Sequence, residues 1–145
     1  MTAKVHHSAI CVRDVDESLR FYRDGLGLTV TMDEEFDGDW PALFGASGSR
    51  LRSVFLGDPA VADAGFVELV SFVDGMDPGS APVTAPATGF FLLSFYVDVD
   101  ATLERLGALG LGGQARRIAA GPGDAVTMAT VRDPDGVLVE LIGLP

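Results

Sequence analysis

The amino-acid sequence contains an internal repeat, and this repeat restricts the folds open to the chain more than any other feature. The segment ICVRDVDESL at residues 10–19 aligns with FYVDVDATL at residues 95–103, with one residue missing from the second copy. The later segments FVELVSF, residues 66–72, and VLVELIGL, residues 137–144, also align. Similar halves in one chain indicate a duplicated structural unit. We therefore expect two copies of one arrangement of strands and helices.

Local patterns predict the order of elements in the first half. Residues 5–12 are rich in apolar and β-branched residues, which is typical of a strand, and Asp14 or Asp16 can cap the helix that follows. Three further strands are predicted at residues 28–32, 50–56 and 66–72. The first half is therefore predicted to have the order β-α-β-β-β.

Residues 33–49 lack a clean hydrophobic period and are rich in acidic, glycine and small residues, which predicts a loop or a lid. Within it, the acidic run DEEFDGD is interpreted as a solvated loop and not as a second metal site. Phe36, Trp40 and Phe44 either close over a substrate or cover the edge of the sheet. Both interpretations remain open from the sequence.

The second half repeats the pattern after a connector. Residues 74–88 concentrate Pro, Gly, Ser and Thr and cannot pack a core. A strand is predicted at residues 90–97, a helix at 98–110 and a hairpin of residues 125–132 and 137–142 around the turn Asp133–Gly136. We expect one domain, residues 1–145, in which module one spans residues 4–73, the linker 74–88 and module two 89–145.

Composition narrows the function classes. A chain of 145 residues is long enough to form one core. Its formal net charge of -11 repels nucleic-acid phosphates and anionic lipid headgroups. The first residues lack the pattern of a signal peptide, and Cys11 is the one cysteine, so no internal disulfide can form. We expect a cytoplasmic protein that binds neither nucleic acid nor membranes.

Four segments together resemble the vicinal oxygen chelate superfamily, which contains glyoxalases, bleomycin-resistance proteins and extradiol dioxygenases. They are HHSAICVRDVDESLRFYRDGLGL, FVELVSF, GFFLLSFYVDVDATLERLGALG and VRDPDGVLVELIGL. The resemblance implies an α+β fold of two tandem βαβββ modules that form a curved mixed sheet around one pocket. It also implies a small-molecule substrate or ligand, a divalent metal that binds two substrate oxygens, and a homodimer.

The resemblance also implies a ligand set, because members of this family carry metal ligands on the first and fourth strands of each module. It points to His7, through the family pattern H-x-x-x-x-V, and to Glu68 and Glu140, each within V-E-L. The fourth position is Leu92, which offers no donor atom. One imidazole and two carboxylates suit Zn, Ni, Co, Mn or Fe. Because only three ligands are present, we expect the site to bind metal more weakly than a site of four ligands, or to be empty.

Strand geometry is consistent with these candidates. His7 and Cys11 share one face of their strand, while His6 lies on the other. Glu68 and Glu140 are each flanked by apolar residues, and burial of an unpaired carboxylate is costly. A metal would supply the missing partner.

Other polar residues are given structural interpretations. His6 is interpreted as a neighbour that does not bind metal, and Cys11 as a small buried hydrophobic residue. Arg50 and Arg52 share one side of their strand and could meet an anionic substrate, although a solvated face is favoured.

The resemblance favours a metal-dependent lyase, isomerase or epimerase of the glyoxalase I or methylmalonyl-CoA epimerase type. Such an enzyme moves a proton next to a carbonyl, with Glu140 as the preferred base, Glu68 as the second choice and His7 anchoring the metal. Extradiol dioxygenase activity is disfavoured, because Leu92 occupies the position of the second histidine. The alternatives are a metal-free binding protein like the bleomycin-resistance proteins and a metal-free enzyme that uses Glu68 or Glu140.

Overall fold

The chain divides into two compact units. A computed structural model describes residues 2–61, 63–79, 82 and 85–144. The first unit comprises Met1–Arg23 and Gly27–Gly79, and the second comprises Asp24–Leu26 and Ser80–Pro145.

The first unit is a four-stranded mixed sheet with helices in its connections. Its strands are β1 (His7–Cys11), β2 (Thr29–Asp37), β3 (Arg50–Gly57) and β4 (Phe66–Phe72), in the spatial order β1-β4-β3-β2. Helix α1 (Val15–Leu19) begins at Asp14, whose side chain accepts hydrogen bonds from two backbone N–H groups, and continues as a π-helical segment, Arg20–Gly25. Helix α2 (Trp40–Phe44) lies between β2 and β3.

The second unit has the same topology. Its strands are β5 (Leu93–Val97), β6 (Gly112–Ala120), β7 (Val126–Arg132) and β8 (Leu138–Gly143), in the spatial order β5-β8-β7-β6. Helix α3 (Val99–Ala108) follows β5, and a 3-10 turn (Pro122–Asp124) joins β6 to β7. In both sheets the first strand pairs in parallel with the fourth, and the other pairs are antiparallel. The predicted α+β fold with two repeated βαβββ modules is confirmed.

One face of each sheet is buried and the other is more open. In the first sheet the buried face includes Ile10, Val54 and Leu69, which are neighbours across three strands. The corresponding positions of the second sheet include Leu141, which is fully buried, and Ala129. Helix α1 packs against β4, and α3 packs against β6, β7 and β8. We call these the helix faces, and the opposite surfaces the open faces.

The loop predicted for residues 33–49 is wrong in part. Strand β2 continues to Asp37, and residues 40–44 form α2, which begins at an Asp39 cap. The acidic residues are compatible with a strand because neighbouring cations compensate them: Arg52 pairs with Asp33, and Arg50 pairs with Asp37. An edge strand also tolerates polar side chains, since solvent covers one side of it.

The predicted linker, residues 74–88, carries no helix or strand in its described part, and residues 80, 81, 83 and 84 lie outside the described residues. The described chain also contains no helix that is both long enough and apolar enough to cross a membrane.

Candidate functional site

Glu68 and Glu140 occupy equivalent positions in the two sheets. In the first sheet, Glu68 on β4 lies between Ala9 on β1 and Phe55 on β3. In the second sheet, Glu140 on β8 lies between Ser94 on β5 and Thr130 on β7. Because paired residues point to the same side of a sheet and their neighbours Val67, Leu69, Val139 and Leu141 are buried, both glutamates lie on the open faces. The repeat seen in the sequence thus places one carboxylate at the same point of each module.

His7 lies beside Glu68 on the open face of the first sheet. The His7 Nε2 atom is 3.8 Å from a Glu68 carboxylate oxygen, too far for a hydrogen bond. The other ring nitrogen of His7, Nδ1, lies 2.8 Å from Nδ1 of His6. One of these two nitrogens must donate and the other accept, so His6 holds the orientation of the His7 ring.

The separation of His7 from Glu68 fits a shared metal ion. Zinc lies about 2.0–2.1 Å from histidine nitrogen and about 2.0–2.2 Å from carboxylate oxygen, so two such ligands on opposite sides of one ion are at most about 4.3 Å apart. The observed 3.8 Å falls below this limit. A ligating histidine is ordinarily oriented through its second ring nitrogen, and His6 does this for His7. Sequence reasoning missed His6, because a neighbour on the opposite face of a strand was expected to point away.

Cys11 is also on the open face of β1, paired in register with Val70. The residue is exposed, so its interpretation as a buried hydrophobic residue is wrong. Partial desolvation raises the pKa of the thiol, and the negative charge of Glu68 raises it further. The thiol form is therefore favoured at neutral pH, and Cys11 is a poor nucleophile there.

Glu140 has a different neighbour from Glu68. The Ser94 hydroxyl donates a 2.8 Å hydrogen bond to Glu140 Oε1. Ser94 pairs with Glu140 as Ala9 pairs with Glu68, so Leu92, two residues before Ser94, corresponds to His7, two residues before Ala9. The second sheet thus has leucine where the first has histidine. Within each unit, the described residues contain no group of three or more His, Cys, Asp and Glu side chains that could hold a metal ion.

The aromatic residues of the first unit pack on their own sheet. Trp40 and Phe44 stack with ring centroids 5.6 Å apart, and Phe44 meets the ring of Phe72 on β4 edge-on at 6.4 Å. The Trp40 indole N–H donates to the Phe36 carbonyl oxygen at 3.3 Å. Phe72 lies on the same face of β4 as Glu68, so these contacts hold the aromatic residues against the open face and do not separate the two interpretations.

Arg50 and Arg52 are engaged by acidic residues of β2. Arg52 donates two hydrogen bonds to Asp33, at 2.9 and 2.7 Å, and these bonds lower the pKa of Asp33 and raise that of Arg52. Arg50 lies 3.1 Å from Asp37 and 3.8 Å from Glu35. Both arginines alternate with Leu51 and Ser53 and therefore lie on the helix face, opposite Glu68.

Comparison with known proteins identifies the family of this chain. The sequence model of the Glyoxalase/Bleomycin resistance protein/Dioxygenase superfamily matches residues 4–141. The chain belongs to this superfamily. The predicted family is thereby confirmed.

Relatives within the superfamily include one of clear sequence similarity. The chain is 40% identical to the lactoylglutathione lyase-like protein terB of Aspergillus terreus, over 97% of this chain and 75% of the relative. Among solved structures, a glyoxalase family protein from Bacillus cereus matches with a TM-score of 0.74 and 21% identity, over 99% of this chain and 95% of the other. The trypanothione-dependent glyoxalase I of Leishmania major matches with a TM-score of 0.60 and 23% identity, over 98% and 87%. At these identities the two structures support the fold alone.

Proposed function

We propose that this glyoxalase-like protein is a divalent-metal-dependent lyase or isomerase that moves a proton next to the carbonyl of a small-molecule substrate. The observation that carries the proposal is the 3.8 Å approach of His7 to Glu68, with Glu140 at the equivalent position of the second module. The proposal is also supported by a relative named as lactoylglutathione lyase-like at 40% identity.

In this proposal His7, Glu68 and Glu140 are the metal ligands, and Leu92 leaves the fourth position to water or substrate. One imidazole and two carboxylates suit Zn, Ni, Co, Mn or Fe. A bound divalent ion would supply a Lewis acid for the negative charge that develops on the carbonyl oxygen.

Glu140 is the proposed base. Its carboxylate takes the proton from the carbon next to the carbonyl, and the electron pair of that C–H bond moves toward the carbonyl oxygen. The same carboxylic acid then returns the proton to the neighbouring carbon in an isomerisation. In an epimerisation, Glu68 would first take a proton from solvent and then deliver it to the other face of the carbon, while Glu140 releases its proton to solvent. Ser94 orients Glu140 for this role through its 2.8 Å hydrogen bond.

Metal content tests the proposal without knowledge of the substrate. Protein purified without chelators or a metal-affinity column is expected to contain close to one divalent ion per chain, and His7→Ala, Glu68→Gln and Glu140→Gln are expected to lose it. Glu104→Gln is a matched control, because Glu104 is an exposed glutamate on α3. Wild-type protein that is metal-free and cannot be loaded with Zn, Ni, Co, Mn or Fe would contradict the metalloenzyme.

Turnover separates the lyase from the epimerase. α-Keto hemithioacetals test the first, and 2-methyl-branched acyl-CoA esters test the second. We expect Glu140→Gln to lower kcat by roughly 10²–10⁴-fold, the usual contribution of a general base. An unchanged kcat in this variant would move the role to Glu68.

A metal-free binding protein is the second candidate, and Leu92 favours it. An apolar side chain at the position equivalent to His7 removes one donor from the second module. Tight binding of a ligand without metal and without turnover would support this function.

We also propose that the protein is a cytoplasmic homodimer. Light scattering coupled to gel filtration is expected to give twice the chain mass of 15.2 kDa.

A further inference from the structure

The second unit contains a cavity that none of the proposed metal ligands lines. Its volume is about 380 Å³, within the range of roughly 300–1,000 Å³ typical of small-molecule sites. It is formed by side chains of β6, β7 and β8 together with described residues that precede β5. The lining residues are Ala85, Pro86, Phe91, Gln114, Arg116, Thr130, Val131, Arg132 and Leu138.

Arg116 lines this cavity, and its side chain has no acidic partner among the described residues. It lies on the open face of β6, paired in register with Thr130. Arg50, Arg52 and Arg117 all form ion pairs with aspartate, whereas the side chain of Arg116 forms no ion pair or hydrogen bond within the part of the chain that the structure describes. In a chain with a net charge of -11, an exposed arginine without an acidic partner is available for an external anion.

Further hydrogen-bond donors surround Arg116. Arg132 lies two residues after Thr130 on β7, which places it diagonally from Arg116 at a distance of about 7–8 Å between backbone positions, within reach of long side chains. One Arg132 nitrogen donates to the Gly136 carbonyl oxygen at 2.9 Å, which orients the guanidinium. Thr130 and Gln114 add a hydroxyl and an amide to the same wall.

The remaining wall of the cavity is apolar. Phe91 and Leu138 are both lining residues, and Phe91 is 52% exposed. An exposed aromatic ring beside arginine side chains offers contact area for the carbon skeleton of a ligand. The cavity therefore combines positive charge with an apolar surface.

We propose that this cavity binds the anionic end of a small organic molecule, with Arg116 contacting its carboxylate or phosphate oxygens and Phe91 and Leu138 contacting its apolar part. Planar guanidinium groups suit such oxygens because two N–H donors can bind one anion. We name the cavity lined by these residues the Arg116 cavity.

The Arg116 cavity adjoins the environment of Glu140. Arg116 and Thr130 also contribute to a smaller cavity of about 150 Å³ whose lining includes Glu140. A ligand anchored at Arg116 would therefore extend toward the proposed base. This last step rests on the proposed function, whereas anion binding at Arg116 does not.

Matched probes test the binding step. Phenylacetate and phenyl phosphate supply the two anions, and phenylacetamide supplies the same ring without a negative charge. Binding is measured by NMR of ¹⁵N-labelled, chelator-treated protein, so that neither metal nor turnover affects the result. The ionic strength is held at about 0.15 M, where the Debye length is about 8 Å and long-range repulsion is screened.

We expect at least one anion to shift the Arg116 Nε–H signal in a saturable way. Phenylacetamide is expected to bind at least about tenfold more weakly than that anion. The preferred anion distinguishes a carboxylate site from a phosphate site. Arg116→Gln is expected to weaken binding of that anion about tenfold, and Arg116→Lys to restore part of it.

Arg50→Gln is the matched control, since it removes the same charge from the helix face of the first unit. It is expected to leave anion binding unchanged. Equal binding of phenylacetamide, equal weakening by Arg50→Gln, or the absence of saturable binding by both anions would overturn the proposal.

The two proposals can fail separately. If wild-type protein holds no metal but binds the anion and Arg116→Gln weakens that binding, the proposed function fails and the Arg116 cavity stands. If metal is bound but Arg116→Gln has no effect on either anion, the cavity proposal fails alone.

Discussion

In the first sheet Glu68 lies between an alanine and a phenylalanine, whereas in the second sheet Glu140 lies between a serine and a threonine. The next strand continues the contrast, because Met32 lies opposite Phe55 and Arg116 lies opposite Thr130. His7 completes the first open face, and Leu92 stands at the corresponding place in the second.

The helix faces of the two sheets are alike at their centres. Leu69 and Leu141 hold equivalent positions, and both are fully buried. Where the helices cover the sheets, side chains must exclude water, so the residues there are limited to those that pack. The open faces carry different donors and charges around one glutamate each.

The largest effect is expected from the helix faces. Leu69→Ala and Leu141→Ala each remove a fully buried side chain and should each lower the free energy of unfolding by about 2–5 kcal/mol. Urea denaturation measures both. Ile118→Ala, on the open face of β6 and 61% exposed, is the control and should change stability by less than about 0.5 kcal/mol. A cost below about 1 kcal/mol for either leucine would show that the two helix faces are not equivalent.

Leu92→His would make the second open face resemble the first. The added imidazole supplies the donor missing from the fourth position, so metal affinity should rise by roughly a hundredfold, about 2.8 kcal/mol. Competition with a chromogenic chelator measures this change. Leu92→Phe introduces a ring without a donor nitrogen and should give no increase. An equal increase in both variants would assign the effect to packing.

Ser94→Ala and Ala9→Ser exchange the neighbours of the two glutamates. Removal of the Ser94 hydroxyl leaves Glu140 Oε1 without its 2.8 Å hydrogen bond and should weaken metal binding about tenfold, as loss of a group that orients a ligand does. Ala9→Ser adds a hydroxyl beside Glu68. Isothermal titration of both variants is the measurement. No change in Ser94→Ala would remove Glu140 from the ligand set.

The smallest effect is expected at the Asp33–Arg52 pair. Arg52 lowers the pKa of Asp33, so this carboxylate stabilises the fold above its unfolded pKa of about 3.9, and the contribution is lost as the pH falls through the folded value. Asp33→Asn should therefore cost about 0.2–1 kcal/mol at pH 7, as partly exposed pairs do, and progressively less below about pH 4. Urea unfolding at both pH values measures the difference.

Asp100→Asn is the counterpart in the second unit, because it removes the carboxylate that contacts Arg117. Arg117 occupies the register position in the second sheet that Asp33 occupies in the first. A cost for Asp33→Asn that is independent of pH would contradict the assignment to the ion pair.

Much of the fold was predictable from local pattern. The strand at Phe66–Phe72 was predicted to the residue, and the Asp14 cap was among two candidates. Strand β2 was predicted to end near Met32, because the acidic residues after it hide the alternation of a strand. Arg50 and Arg52 compensate the negative charges of these residues, but both arginines lie on β3, which comes later in the chain and pairs with β2 only in the folded protein.

The site was predictable only in outline. The resemblance to the superfamily pointed to His7, Glu68 and Glu140 as candidates, and the repeat placed the two glutamates at equivalent positions. No sequence pattern indicates that His6 supports His7, or that Arg116, and not Arg50 or Arg52, lines a cavity. An arginine's availability depends on which carboxylates lie beside it in space, and sequence spacing does not report this.

The sequence by itself determined the duplicated βαβββ order and the position of one glutamate in each half, because these follow from hydrophobic period and from similarity between the two halves. Its resemblance to a known superfamily indicated the family. Only the tertiary structure decided which polar groups meet: His7 with Glu68, Ser94 with Glu140, and Arg116 with a cavity instead of a carboxylate. The physical reason is that strand pairing brings together residues far apart in the chain, and the neighbour on the next strand sets whether a charge is neutralised, oriented or left for a ligand.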